Sequence, residues 1–195
     1  METRLTENKP SSTTHDKVYA TGLDFCRIFK EDMKNLYLLS LLLTADPEKA
    51  EQCFVAGLDD CVAHNQVFEE WARSWARRAI IKNAIRLIAP QPAGVNSVPK
   101  DFTNQLGMEL QAQFSLLLGL PSFERFAFVM SVLEGYSERE CTLLLGCTRA
   151  DLMSARSEAL RKIADGDEQA VIELKPEQRS TSFELQSPVR LATPA

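Results

Sequence analysis

The 195-residue sequence is poor in the groups that do chemistry. It has two histidines, His15 and His64, and its five cysteines (Cys26, Cys53, Cys61, Cys141, Cys147) include no C-x-x-C pair. A tetrahedral zinc site needs three or four such ligands at short spacings, so a zinc finger is excluded, and the cysteines read as reduced core thiols. Asp59 and Asp60 near His64 lack a further ligand, so no metal site is expected. The patterns G-x-x-x-x-G-K-[ST], G-x-G-x-x-G and G-x-S-x-G are all missing. With no phosphate loop, dinucleotide fingerprint or nucleophile elbow, the chain reads as a non-enzyme that needs no cofactor. Positive charge is not in excess either: 22 Lys and Arg stand against 27 Asp and Glu, a net charge of -5. A protein that coats nucleic acid indiscriminately is therefore excluded, and any nucleic-acid surface must be local. Long apolar runs are absent as well. The most apolar stretch, Leu36 to Leu43, includes Tyr37 and Ser40 and is far shorter than the ~20 residues that cross a bilayer. No membrane span is expected, and the polar first seventeen residues lack a signal-type apolar region, which places the chain in the cytoplasm.

What is present is ordinary globular composition, 45% hydrophobic and 25% charged. No run shows the β-branched alternation of strands, so the fold class is all-α. Residues 1–17 and 164–195 are polar or proline-bearing and are expected to be disordered tails. Residues 90–100, within the segment A-P-Q-P-A-G-V-N-S-V-P-K from Ala89 to Lys100, hold three prolines (Pro90, Pro92, Pro99) together with Gly94 and read as a linker. The spacing predicts a three-helix bundle over 18–89, with helices at Leu23–Leu43, Pro47–Ala63 and Phe68–Ile88. A four-helix unit follows over 101–163, with helices at Phe102–Leu118, Pro121–Leu133, Ser137–Leu145 and Thr148–Ile163. Asp46 before Pro47 supplies an N-cap acceptor and a first-turn proline.

Ser137-Glu138-Arg139-Glu140 is a capping box, Gly146 suits a left-handed helix end, and Thr148 with Asp151 approximates a second box. Two short helices joined through such a turn form a helix-turn-helix, whose second helix enters a DNA major groove or serves as plain packing. Leu120-Pro121, Arg125, Leu133-Glu134-Gly135-Tyr136-Ser137, Glu140, Leu145-Gly146 and Ser154 resemble region 4 of extracytoplasmic-function sigma factors of the sigma-70 class. Thr44-Ala45-Asp46, Ala50-Glu51, Phe68, Trp71, Ala76 and Arg86 are similar to region 2 of the same family. The resemblance spans about residues 22 to 163. It implies a protein that binds core RNA polymerase and promoter DNA to direct transcription initiation, partnered by an anti-sigma factor. It places Glu51 and Gln52 on the polymerase and residues 64–67 around a flipped base. Departures accompany the matches. Gln52 and Val55 replace an aspartate and a glutamine, Arg78 and Lys82 replace an asparagine and an aspartate, and Asp151, Leu152, Met153 and Ala155 replace the usual threonine, valine, lysine and arginine of the recognition helix. Glu158 stands where a later arginine is usual.

Two segments carry the local positive charge. On the last helix, Arg149, Ser154 and Arg156 are suited to base edges, with Arg161 and Lys162 suited to phosphates. A solvated helix face of ordinary charges is the other reading. On the helix from Phe68, Arg73, Arg77, Arg78, Lys82 and Arg86 outnumber Glu69 and Glu70, and Trp71 and Trp75 lie on the side of Arg78, Lys82 and Arg86. Such a stripe stacks unpaired bases and holds phosphates, with His64, Asn65 and Gln66 offering imidazole and amide groups to a base edge. In the plainer reading, the tryptophans anchor the core and the basic stems lie over apolar surface. The functional expectation is a sigma-factor-like regulator. The competing one is a degenerate relative that has kept the fold, lost promoter recognition and acts through protein contacts.

Overall fold

The computed structural model describes residues 18–63, 66–92 and 114–173, with side chains described as far as residue 165. Apart from one isolated antiparallel bridge between Tyr19 and Phe68, the regular elements among these residues are helical, as the absence of strand patterning predicts.

Helix α1 (Gly22–Glu31) opens on a capping box in which the Thr21 hydroxyl accepts from the Asp24 N–H and the Asp24 carboxylate accepts from the Thr21 N–H at 2.9 Å. The single helix predicted over Leu23–Leu43 is in fact two, because Asp32 (φ -105°, ψ 22°) steps out of helical geometry between α1 and α2 (Met33–Thr44). The step lets Phe25, Ile28 and Phe29 of α1 and Leu36, Leu39 and Leu43 of α2 reach one core, which a straight amphipathic rod could not do. Helix α3 runs over Pro47–Ala63 as the Asp46-Pro47 signal predicts, with the Asp46 carboxylate accepting from the Lys49 N–H at 3.1 Å. Gly57 lets α3 approach its neighbour closely: a Cβ there would lie 2.7 Å from the Ile80 side chain.

The helix predicted from Phe68 starts as a 3-10 turn (Glu69–Trp71) and continues as α4 (Ala72–Ile88). Its buried face is mostly small, with Ala72, Ala76, Ala79 and Ala84 beside Ile80 and Ile81, which draws the α4 axis close to α2 and α3. Most of the predicted linker and of the predicted helix Phe102–Leu118 lies outside the described residues; within it, 114–118 are helical. Helix α5 (Ser122–Phe128) passes into a π-helical turn at Val129–Leu133. Helix α6 (Glu138–Leu145) is followed by α7 (Arg149–Glu173). The last helix thus runs past the predicted stop at Ile163, so residues 164–173, assigned to a tail from composition, are helical. No proline interrupts before Pro176, and the Arg161–Asp165 pair spans the expected stop at 2.7 Å.

The buried apolar side chains form one cluster that draws Phe25, Leu36, Leu43, Ile80 and Ile81 from before the predicted linker and Phe126, Val129, Met130 and Leu152 from after it. Arg125 sits at the junction, 2% exposed. Its guanidinium donates to the carbonyl oxygens of Leu120 (2.7 Å), Leu118 (3.3 Å) and Leu43 (3.3 Å), with a longer contact to Thr44 (3.5 Å). Leu43 and Thr44 close α2, so a cation meets the negative end of that helix. Burial pushes the Arg125 guanidinium down to about 10, still well above neutral, and it remains charged.

Removing this side chain strands buried carbonyls on both sides of the junction. Arg125→Ala is expected to lower the unfolding free energy by about 3 kcal/mol, and Arg125→Lys to recover less than half of that, because an ammonium lacks the planar fork. Urea denaturation followed by circular dichroism measures both; equal stability of all three proteins would refute the assignment.

Candidate nucleic-acid interface

Local geometry builds the α6–turn–α7 element almost entirely from side chains near it in sequence. The Ser137 hydroxyl accepts from the Glu140 N–H at 3.3 Å, while the Glu140 carboxylate accepts from the Ser137 N–H at 3.1 Å. Gly135 (φ 68°) ends the preceding turn and Gly146 (φ 63°) closes α6, both in the left-handed region that a Cβ disfavours. Thr148 and Asp151 then form the second reciprocal cap, with Asp151 accepting from the Thr148 N–H at 3.1 Å and donating its own N–H to the Thr148 hydroxyl at 3.2 Å. Asp151, which departs from the pattern of the resembled family, thus has a structural task as part of the cap.

The predicted DNA-facing side chains among the described residues fall into two groups, with Arg73 and Arg86 on α4 outside both. Gln66, Arg77, Arg78 and Lys82 come together around a cleft of about 1230 Å³ whose other wall is Glu134, Gly135, Tyr136 and Glu140. Arg149, Ser154, Arg156, Arg161 and Lys162 lie apart from it, on α7. His64 and Asn65 lie outside the described residues, so the expected base-reading loop is represented by Gln66 alone.

Nearly every cation singled out from the sequence is matched by a carboxylate. Arg73 pairs with Glu31 at 2.6 Å, Arg86 with Asp60 at 2.9 Å, Arg149 with Glu138 at 2.8 Å, and Lys162 with Glu124 at 2.8 Å. Arg161 is shared between Glu158 and Asp165, both at 2.7 Å. Arg77 forms a two-pronged pair with Glu134, whose side chain is only 7% exposed, and lies 3.9 Å from Asp32. Hydrogen bonding to Glu134 holds the Arg77 guanidinium above its usual value. Arg78 is 3.6 Å from Glu140 and 5.9 Å from the centre of the Tyr136 ring. Lys82 differs: its ammonium lies 5.5 Å over the Trp75 ring. Ser154 is exposed, and Arg156 is half-buried, close enough to Cys141 to oppose the upward push on that thiol.

The tryptophans do not both anchor the core. Trp75 is half-buried and packed on the cluster, but Trp71 is 57% exposed, held edge-on by Phe68 at 5.5 Å, which in turn stacks on Tyr19 at 4.7 Å. The expectation that both tryptophans are core anchors therefore fails at Trp71, because the 3-10 turn rotates it off the buried face of α4. Glu134 and Tyr136 went unnoticed in the sequence as site residues. They flank Gly135 in a turn, and no local spacing links them to α4. Burial pushes the thiols of Cys53 and Cys141 up to about 11 and Cys61 up to about 12, so none is a thiolate at neutral pH. Among the described residues no group of three or more His, Cys, Asp or Glu side chains could hold a metal ion, and no helix is long and apolar enough to cross a membrane. No protein-family model matches the chain, and no curated protein or solved structure is similar to it at a significant level.

Two outcomes follow from this geometry. Glu134→Ala leaves Arg77 facing a half-buried gap and is expected to cost about 2 kcal/mol, kept modest by solvent at Arg77; a double-mutant cycle with Arg77→Ala reads the coupling. For pH, the hydrogen bonds from Ser137 depress the Glu140 carboxyl in the folded state. Its contribution is therefore complete above the unfolded value of about 4.3 and is lost as the pH falls through the depressed one. Urea midpoints measured from about pH 5 down to about pH 3 should fall more for the natural protein than for Glu140→Gln; parallel curves would contradict this.

Proposed function

We propose that the chain is a sigma-factor-like transcription regulator that binds core RNA polymerase through α3 and promoter DNA through α4 and the α6–α7 element, directing initiation without catalytic activity of its own. The observation that carries this reading is the α6–turn–α7 geometry. Two helices are joined by residues 146–148, closed by the left-handed Gly146 and reopened by the Thr148 cap, and the first turns of the second helix present exposed Arg149 and Ser154. Two helices meeting through such a turn support the reading of a helix-turn-helix whose second helix enters a groove. On α3, Glu48, Glu51, Gln52 and Val55 are all exposed and fall on one face, leaving an acidic and apolar strip open to a partner. That strip includes the two residues that the family resemblance assigns to polymerase.

A second reading is favoured by one specific observation: most of the cations on α4 and α7 are paired with carboxylates of the same chain. In that reading the protein keeps the fold and acts through protein contacts, with an anti-sigma factor, polymerase or its own copies on the α3 strip, and does not read promoters.

Capture of purified core RNA polymerase by the full chain, followed by run-off transcription from its own upstream region, separates the two. The first reading expects capture and a discrete transcript. Glu51→Lys should weaken capture about tenfold while leaving the melting temperature unchanged, and Arg149→Ala should lower the salt dependence of DNA binding by about one unit of slope. Capture without a transcript supports the second reading; neither capture nor transcript from the folded protein overturns the first.

A further inference from the structure

The cleft between α4 and residues 134–140 has the chemistry of a small-ligand site as well as of a strand-binding surface. Its volume, about 1230 Å³, lies somewhat above the range of ligand pockets, roughly 300–1,000 Å³, and leaves room for a ligand of nucleotide size. Trp71, Trp75 and Tyr136 line it together with Arg78, Lys82 and Gln66. Trp71 leaves more than half of its surface exposed, yet the Tyr19–Phe68–Trp71 ring series holds it in place, so a flat partner meets a platform already ordered.

Charge is distributed unevenly across the cleft. Arg77 is committed to Glu134, while among the described residues the Lys82 ammonium is held over an indole ring and on no carboxylate. Around Trp75, Arg78 and Lys82 the cleft meets a second cavity of about 300 Å³, lined also by Asp60, Ala79 and Arg86. Arg78, Lys82 and Arg86 outnumber Asp60 and Glu140 at that end and leave it positive, whereas Glu134 offsets Arg77 and leaves the rest of the cleft without excess positive charge. A ligand with a flat ring at one end and its negative charge at the other matches this polarity. A nucleic-acid strand, with a phosphate at every step, has to pass Glu134 and Glu140.

We propose that the cleft binds a free nucleotide, with the base on Trp71 and the phosphates at Lys82 and Arg78. These three contacts come from one side of the predicted linker, and Tyr136, from the segment before α6, faces the bound nucleotide from the other wall. The site stands independently of polymerase or promoter binding.

Trp71 and Trp75 are the only tryptophans in the chain, so intrinsic fluorescence reports directly on the cleft. The full-length protein is titrated with ATP, adenosine, tripolyphosphate and single-stranded oligothymidylate, exciting at the red edge of indole absorption. The expected result is saturable quenching by ATP with a dissociation constant on the order of 100 µM, with adenosine and tripolyphosphate each about tenfold weaker. Lys82→Ala should weaken ATP by about tenfold and Lys82→Arg should retain it, while ATP raises the melting temperature of the natural protein. Absence of saturable quenching by ATP, or an unchanged affinity in a folded Lys82→Ala variant, overturns the proposal. So does quenching by oligothymidylate that ATP does not compete away. Quenching by ATP in a protein that captures no polymerase leaves this site standing and removes the transcription reading alone.

Discussion

A charged guanidinium taken out of water must be surrounded by acceptors, and that requirement at Arg125 governs how the two parts of the chain meet. Its acceptors are backbone carbonyls from the end of α2 and from the segment leading into α5. Neither set can move away without leaving a buried charge unmatched. Because carbonyl directions are set by the helix that carries them, the fork fixes the angle of α5 against α2 as well as the distance. The π-helical turn and the Gly135 bend then deliver Glu134 to Arg77 and Tyr136 to Arg78. The size of the cleft, and the pairing of Arg77 and Arg78 across it, are consequences of that one docking angle, whereas Arg73 and Arg86 pair with Glu31 and Asp60 on their own side of the junction.

The parts of this fold legible in the sequence are those decided within four residues. Asp46-Pro47, Ser137 with Glu140, Gly146, and Thr148 with Asp151 mark their helix boundaries because a cap is a bond between near neighbours. The misread boundaries answer to distant atoms. Asp32 breaks a helix so that two apolar faces can share a core, and the turn before α4 tightens where Phe68 stacks on Tyr19. Residues 164–173 looked like a tail because their composition is polar and includes Gly166, yet no proline intervenes and the i,i+4 pair of Arg161 with Asp165 carries the helix past Ile163.

The candidate site was legible as an inventory and not as a geometry. Arg73, Arg77, Arg78, Lys82 and Arg86 stand out as a basic run, but their partners Glu31, Glu134, Glu140 and Asp60 are scattered over the chain, and no spacing rule connects them. The residues that carry the family resemblance after the linker share a further property. Leu120 and Leu145 are buried, Arg125 is the junction cation, Gly135 and Gly146 hold positive φ, and Ser137 and Glu140 cap α6. These side chains shape the backbone; of that set, Ser154 is the one turned to solvent on α7. A resemblance built on such positions speaks to how the chain folds and much less to which bases a helix would read.

The carboxylates that face the basic helix grade its cations by how readily each could meet an outside anion. Arg73 and Arg86 are about 60% exposed at their side chains and pair with carboxylates that are themselves open to water, so a phosphate exchanges for either carboxylate at a cost of roughly 0–1 kcal/mol. Arg77 is bonded through two nitrogens to a carboxylate sealed by the fold, and releasing it means exposing Glu134 and parting the walls of the cleft. Among the described residues, Lys82 has only the face of Trp75 to give up. An anion approaching this surface therefore meets Lys82 first, then the open pairs, and reaches Arg77 only if the docking fixed by Arg125 gives way. The order of engagement is set by burial of the partners and not by the number of positive charges on the helix.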